Sequence, residues 1–333
     1  MGMPTLEKQI KDYILTECHQ EKVGIASIER FNSAPKGMHP TDFLPGCRSV
    51  IMFCTRLPDG AVNAALRTYE DRNFDVHGQY GMFGYVGIPN YNLLWASYKA
   101  SRFIEKMTDA VCMPMTIGPT HGAPMLSMRH CAVAAGLGQF GWCSIVLTPE
   151  FGPRNRFGGL LTTLELKPDP MMDGERLCDY ERCHVCEKVC PTGAIPPYKP
   201  GQERVVDFGE GHIEKYSGIN WTKCKLACEG SYKDFNYSGD YNEMDPIMEN
   251  PIDEEFAPTQ RFRTKAENVY HNFIQHQTSW KCGNCLQYCP VGAWKERFHD
   301  TGISSVNVNE YIDDSPDVDL DVYNGYYGEG EKK

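Results

Sequence analysis

The 333-residue chain is 41% hydrophobic and 23% charged, globular proportions with room for one large domain plus a smaller one. A net charge of -11 without a basic stripe argues against general affinity for nucleic-acid phosphates or anionic membranes, since counterion release needs clustered Lys and Arg. Fifteen cysteines in a chain of this length point to metal ligands and reduced thiols, not to the disulfide framework of a short secreted protein.

The opening residues lack a basic region followed by an apolar stretch, and runs such as 49–53 are too short to span a bilayer. No signal peptide or membrane insertion is therefore expected, and the expected compartment is the cytoplasm. Residues 6–21 carry Ile10, Ile14 and Leu15 among charges, which predicts an amphipathic helix facing the core. Residues 49–54 follow the turn signal Leu44-Pro45-Gly46 and predict a buried strand, while 91–107 show helical spacing of apolar residues. Residues 144–148 and 159–166 read as two β-rich runs joined by a long hairpin-like connection over 149–158. Lys167-Pro168-Asp169-Pro170 marks a boundary, after which closely spaced cysteines, Pro-terminated motifs and a polar insert over 230–259 take over. The last stretch, 310–333, is acidic and reads as a solvated tail. The expected fold class is α+β: an α/β domain over 1–167, a ferredoxin-like domain over 168–300 and an acidic tail over 301–333.

Cys183-His184-Val185-Cys186-Glu187-Lys188-Val189-Cys190-Pro191 has the pattern C-x2-C-x3-C-P, and Cys282-Gly283-Asn284-Cys285-Leu286-Gln287-Tyr288-Cys289-Pro290 repeats it. In two-cluster ferredoxins the cysteine before the proline ligates the other cluster, so Cys190 and Cys289 are expected to swap. One 4Fe-4S cluster then takes Cys183, Cys186, Cys289 and the upstream Cys178, whose x4 spacing departs from the bacterial x2. The second takes Cys190, Cys282 and Cys285 and must recruit a fourth ligand from Cys224 or Cys228, with Cys224 preferred and a three-iron cluster as the alternative. Tetrahedral zinc also uses paired thiolates, but zinc ribbons lack the third Cys-Pro. The other cysteines, Cys18, Cys47, Cys54, Cys112, Cys131 and Cys143, are expected to be small buried hydrophobes.

In the N-terminal half, Thr120-His121-Gly122-Ala123-Pro124 leads into Arg129-His130-Cys131 and then Gly136-Leu137-Gly138-Gln139-Phe140-Gly141, where dense glycines permit close backbone approach to a ligand or to another element. The glycine spacing is not a Rossmann fingerprint. These residues, the run Arg156-Phe157-Gly158-Gly159-Leu160-Leu161 and the paired cysteine motifs resemble the cobalamin-dependent epoxyqueuosine reductases and reductive dehalogenases. The resemblance runs from about Leu44 to Pro290. Arg129-His130 and Phe140-Gly141 look more like the dehalogenase branch, and the short length and missing export leader more like epoxyqueuosine reductase.

That resemblance implies a nitroreductase-like α/β domain holding a corrinoid against the ferredoxin-like domain, with Gly136, Gly138, Phe140, Gly141, Arg156 and Gly158 at the cofactor. It implies an external electron donor such as ferredoxin or flavodoxin and a small-molecule substrate, an organohalide or another small electrophile. His121 occupies the place of the family's acidic proton donor in epoxyqueuosine reductases. Tyrosine is the donor in the dehalogenases, so Tyr80, Tyr85 and Tyr91 compete with it, with Tyr85 singled out and Arg129 as charge partner. The expected activity is that of an oxidoreductase; the alternative is a non-catalytic electron carrier or a corrinoid-reducing chaperone.

Overall fold

In the computed structural model, which describes residues 4–64, 79–115, 126–221, 223–224 and 282–292, the central strand β2 (Ser49–Arg56) is buried at every position but its last. A strand apolar on both faces belongs in the middle of a covered sheet. β2 is flanked on one side by β1 (Lys22–Ser27) and on the other by β6 (Asn155–Thr162), and β3 (Cys112–Pro114) completes an antiparallel sheet of order β1-β2-β6-β3. The register sets Ile51 opposite Ile25 and Leu160, and Val50 opposite Ala26 and Leu161.

Because side chains alternate across a strand, these two rows feed two cores. Val50, Met52, Cys54 and Leu161 pack with α4 (Met128–Ala134) on one face. Ile25, Ile51, Phe53 and Leu160 pack on the other face with α1 (Leu6–Thr16) and α3 (Gly87–Met107). A short helix, α2 (Pro40–Phe43), precedes β2.

α1 is capped by Thr5, whose hydroxyl accepts from the Lys8 N–H, and buries Ile10 and Ile14 one turn apart. It ends at Thr16, earlier than the expected 21, because His19 turns left-handed (φ 53°) and Lys22 enters β1. Leu15, expected on the buried face, is exposed, lying about a quarter-turn from Ile14. α3 begins at Gly87, ahead of the expected 91, after a π-helical turn at Tyr80–Tyr85.

The hairpin expected over 144–166 does not form. β5 (Val146–Leu147) pairs with β4 (Gln139–Phe140), and the chain reverses between Thr148 and Gly152 through two backbone hydrogen bonds of 3.0 and 2.8 Å. β6 is apolar on both faces, so it takes the interior of the main sheet rather than one side of a ribbon.

The cysteine-rich region adds two short helices, α5 (Val185–Lys188) and α6 (Asn284–Gln287), and the hairpin β7 (Arg204–Asp207)–β8 (Ile213–Tyr216). β8 leans on β4: Tyr216 stacks on Phe140 at 4.4 Å, and the Phe140 N–H donates to Glu214 at 3.1 Å. The described residues thus form a mixed α and β fold. No described helix is long and apolar enough to cross a membrane. The polar insert at 230–259, Cys228, His121 and the acidic tail lie outside the described residues.

Arg154, 1% exposed, ties the sheet to the second cysteine motif. Its guanidinium donates to Asp59 at 3.3 Å, to Asn63 at 2.7 Å and to the Gln287 carbonyl at 3.1 Å. Removing one partner of a buried ion pair is costly, so Arg154→Ala is expected to destabilise the protein by roughly 3 kcal/mol. Chemical denaturation of the variant checks this; a loss under about 0.5 kcal/mol would mean the network is replaced by water.

Candidate functional site

The two Cys-Pro motifs fold alike. In each, the second cysteine stands on a one-turn helix, Cys186 on α5 and Cys285 on α6, with the first cysteine just before it and the Cys-Pro just after. The buried Asn284 amide donates to the Val189 carbonyl at 3.0 Å and stitches one motif to the other.

Cys289 is surrounded by the first motif: its thiol is pushed up by burial and by the neighbouring Cys143, Cys178 and Cys183. Cys186 feels Cys178 and Cys289, whereas Cys285 feels Cys282 and Cys224. Burial, with smaller contributions from neighbouring thiols, pushes Cys178 up to about 12 and raises Cys183. Thiols so crowded cannot ionise together without a cation to offset their charge, and metal binding supplies one while releasing their protons.

Two backbone N–H groups already point at sulfur, Trp142 to Cys178 at 3.4 Å and Ala194 to Cys190 at 3.2 Å, the kind of donor that cluster sulfurs accept. The buried Gln287 side chain, beside Cys285, has no hydrogen-bond partner among the described residues. This donor set fits iron-sulfur clusters. As arranged without iron, no three His, Cys, Asp or Glu side chains among the described residues stand in metal-holding geometry.

Cys143 was expected to be an inert apolar filler. It is buried, as expected, but it packs in a cluster with cysteines of both motifs, Cys186 and Cys285. No motif contains it, so nothing in its spacing could have found it.

The N-terminal candidates meet the second cysteine set. Arg129 donates to the Ser144 carbonyl at 2.6 Å and lies 4.9 Å from the ring of Trp221, three residues before Cys224. Burial lowers its pKa, while Tyr216, Cys143 and Cys224 hold its charge and Arg156 opposes it. Arg156 reaches Asn90 at 3.2 Å and covers the Tyr85 ring at 5.1 Å; Tyr85 in turn stacks on Tyr80 at 5.5 Å. Gly283 leaves room for Tyr80, since a Cβ there would stand 1.6 Å from the tyrosine oxygen. The structure therefore brings Arg129, Arg156 and Tyr85 to the side of Cys224 and Cys282.

The glycines sit at close packing contacts. A Cβ at Gly136 would strike the Pro170 carbonyl at 2.2 Å, and one at Gly138 the Leu147 carbonyl at 2.2 Å. Gly141 and Gly158 are likewise filled on that side by Leu147 and Leu93, and Phe140 is buried under Tyr216 and His130. A cleft lined by Ser27, Glu29, Gly46, Arg48 and Glu165 shares no residue with this constellation.

No protein-family model matches the chain. Over 114 residues it is 35% identical to a tetrachloroethene reductive dehalogenase of Desulfitobacterium hafniense, a match covering 33% of this chain and 19% of that enzyme. Over 161 residues it is 27% identical to the epoxyqueuosine reductase of Bacillus cereus, covering 48% and 39%. The chain is related to both groups of reductases. The matches span about a fifth and about two-fifths of these relatives' own lengths. A solved reductive dehalogenase, described as supporting a mechanism for B12-dependent dehalogenation, overlays with a TM-score of 0.44 at 15% identity, covering 78% of this chain and 36% of that one.

His130 sits between Ser127 (2.7 Å) and the Tyr216 hydroxyl (3.0 Å), and burial lowers its pKa to about 4. Folding holds it neutral, so its contribution to stability is present above about pH 6.5 and is lost as pH falls toward 4, a swing on the order of 3 kcal/mol. His130→Asn is expected to flatten that acid limb, as read by denaturation midpoints at pH 7 and 4.5. An unchanged limb would assign it to the carboxylates.

Proposed function

We propose that the chain is an oxidoreductase that takes electrons from an external ferredoxin or flavodoxin, passes them through two 4Fe-4S clusters and reduces a small organic electrophile at a corrinoid. One cluster is held by Cys178, Cys183, Cys186 and Cys289, the other by Cys190, Cys224, Cys282 and Cys285. The observation that carries the reading is the position of Arg129, Arg156 and Tyr85, which gather beside Cys224 and Cys282 on the N-terminal side. On this reading the second cluster is the one that passes electrons to the corrinoid, and the first receives them from the external donor.

When bound, a low-valent corrinoid supplies a strong reductant. The protein's own tasks are charge and protons. Replacing a halogen by hydrogen takes up two electrons and one proton and releases halide, so two one-electron clusters and one proton donor match the demand. Arg129 and Arg156 give the chamber positive charge suited to a departing anion or an acidic substrate. Tyr85 lies under Arg156, which would attract the phenolate left after it gives up a proton. His121 is the other candidate donor, on its kinship with the epoxyqueuosine reductase acid. Gly136, Gly138, Phe140, Gly141 and Gly158 would act on the cofactor through the packing that holds β4 and β6, and Arg156 directly.

The absorption spectrum of anaerobically purified protein, taken before and after reconstitution with cobalamin, tests this reading. Retention of a corrinoid by protein with intact clusters supports it. Failure to retain any corrinoid, whatever its lower ligand, leaves a two-cluster electron carrier instead.

A further inference from the structure

Among the described residues, Cys143 lies outside both proposed ligand sets yet is buried in one cluster against which Cys186 of the first set and Cys285 of the second both pack. The placement is built, not incidental. The turn that carries it closes with the Ser144 N–H on the Gly141 carbonyl at 2.9 Å and the Gly141 N–H on the Ile145 carbonyl at 2.8 Å. Ser144 takes φ 60°, an uncommon conformation for a residue with a side chain. Three contacts hold it there: its hydroxyl on the Ser217 carbonyl at 2.9 Å, Arg129 on its own carbonyl at 2.6 Å, and the Ser217 N–H on the Trp142 carbonyl at 3.1 Å. The neighbouring Trp142 is fixed at both ends, its indole on the Pro196 carbonyl at 2.8 Å and its backbone N–H on the Cys178 sulfur at 3.4 Å.

We infer that this turn is a hydrogen-bond donor station between the two clusters, and that Cys143 is a positioning residue that raises the reduction potential of one or both. The inference rests on the two-cluster reading above. Each proposed set already has four cysteines, so Cys143 is not needed as a ligand. A thiol packed beside anionic ligands keeps its proton, because a further negative charge there is disfavoured, and that S–H is the donor Cys143 offers. A hydrogen bond to a cluster thiolate stabilises the more negative, reduced cluster more than the oxidised one, and so raises its potential.

The test uses the full chain, loaded anaerobically with iron and sulfide, and three variants: Cys143→Ala, Cys143→Val, which fills the site without a donor, and Cys143→Ser, which keeps one. Iron and sulfide are assayed first, then both clusters are titrated with spin-resonance detection. The expected result is wild-type iron content throughout, a lowered potential of at least one cluster in the Ala and Val variants, and a smaller shift or none in Ser. Equal potentials in the Val, Ser and wild-type proteins would overturn the inference. So would loss of about half the iron in the Val and Ser variants alike, which would make Cys143 a ligand. Wild-type protein that binds zinc or no metal would instead defeat the underlying two-cluster reading.

Discussion

Anaerobically purified protein is expected to carry about eight iron and eight sulfide per chain, the content of two four-iron clusters. Single cysteine replacements should then divide by set, not by motif. Cys289→Ala is expected to cost the cluster shared with Cys178, Cys183 and Cys186, although Cys289 lies in the second motif, because its thiol is packed among Cys143, Cys178 and Cys183. Cys224→Ala should remove about half the iron and leave that first cluster's spin-resonance signal intact, since Cys224 is among the charges felt by Cys285 of the second set. Cys228→Ala should keep all the iron. The opposite pattern for Cys224 and Cys228 would transfer the ligand role to Cys228, and zinc in place of iron would sink the cluster assignment altogether.

The parts of the molecule that were readable from sequence are those whose physics is local. The C-x2-C-x3-C-P spacing marked both cysteine motifs, and the two fold alike, each with its second cysteine on a single helical turn. The run over 49–54 could only be a buried strand, and β2 sits in the middle of the sheet. What was not readable depends on partners far away in the chain. β6 has the same apolar texture whether it closes a hairpin with β5 or lies between β2 and β3, and the choice is made by which core it fills. Gly136 and Gly138 read equally well as a ligand cradle or a close contact; the carbonyls of Pro170 and Leu147 occupy the space. Cys143 has no local signature because its partners lie 43 and 142 positions away, at Cys186 and Cys285. Arg156 was singled out for a cofactor, yet its contacts with Asn90 and Tyr85 arise only when β6 lies against the start of α3.

Tyr85→Phe is expected to lower turnover by about two orders of magnitude, the usual scale for a lost general acid, while iron content and corrinoid retention stay at wild-type levels. Reduction of an electrophile leaves electron-rich carbon or oxygen that must be protonated, so a donor has a definite task. Tyr85 has the position for it, half-buried, stacked on Tyr80 and covered by Arg156, on the side of the chamber near Cys282. His121→Phe is the competing experiment, because an imidazole with an ordinary pKa of about 6.5 can also deliver a proton near neutrality. The two donors differ in their pH signatures. With Tyr85 as donor, the rate of the wild-type protein should hold through neutral pH and fall only at alkaline pH; with His121 it should already fall as pH rises past about 7. Arg156→Met separates them further: it removes the cation over the Tyr85 ring and should move the alkaline limb of the rate only if the tyrosine carries the proton. A near-normal rate in Tyr85→Phe and an unmoved alkaline limb in Arg156→Met, with a deep loss in His121→Phe, would assign the proton to the histidine and leave Tyr85 as packing under Arg156.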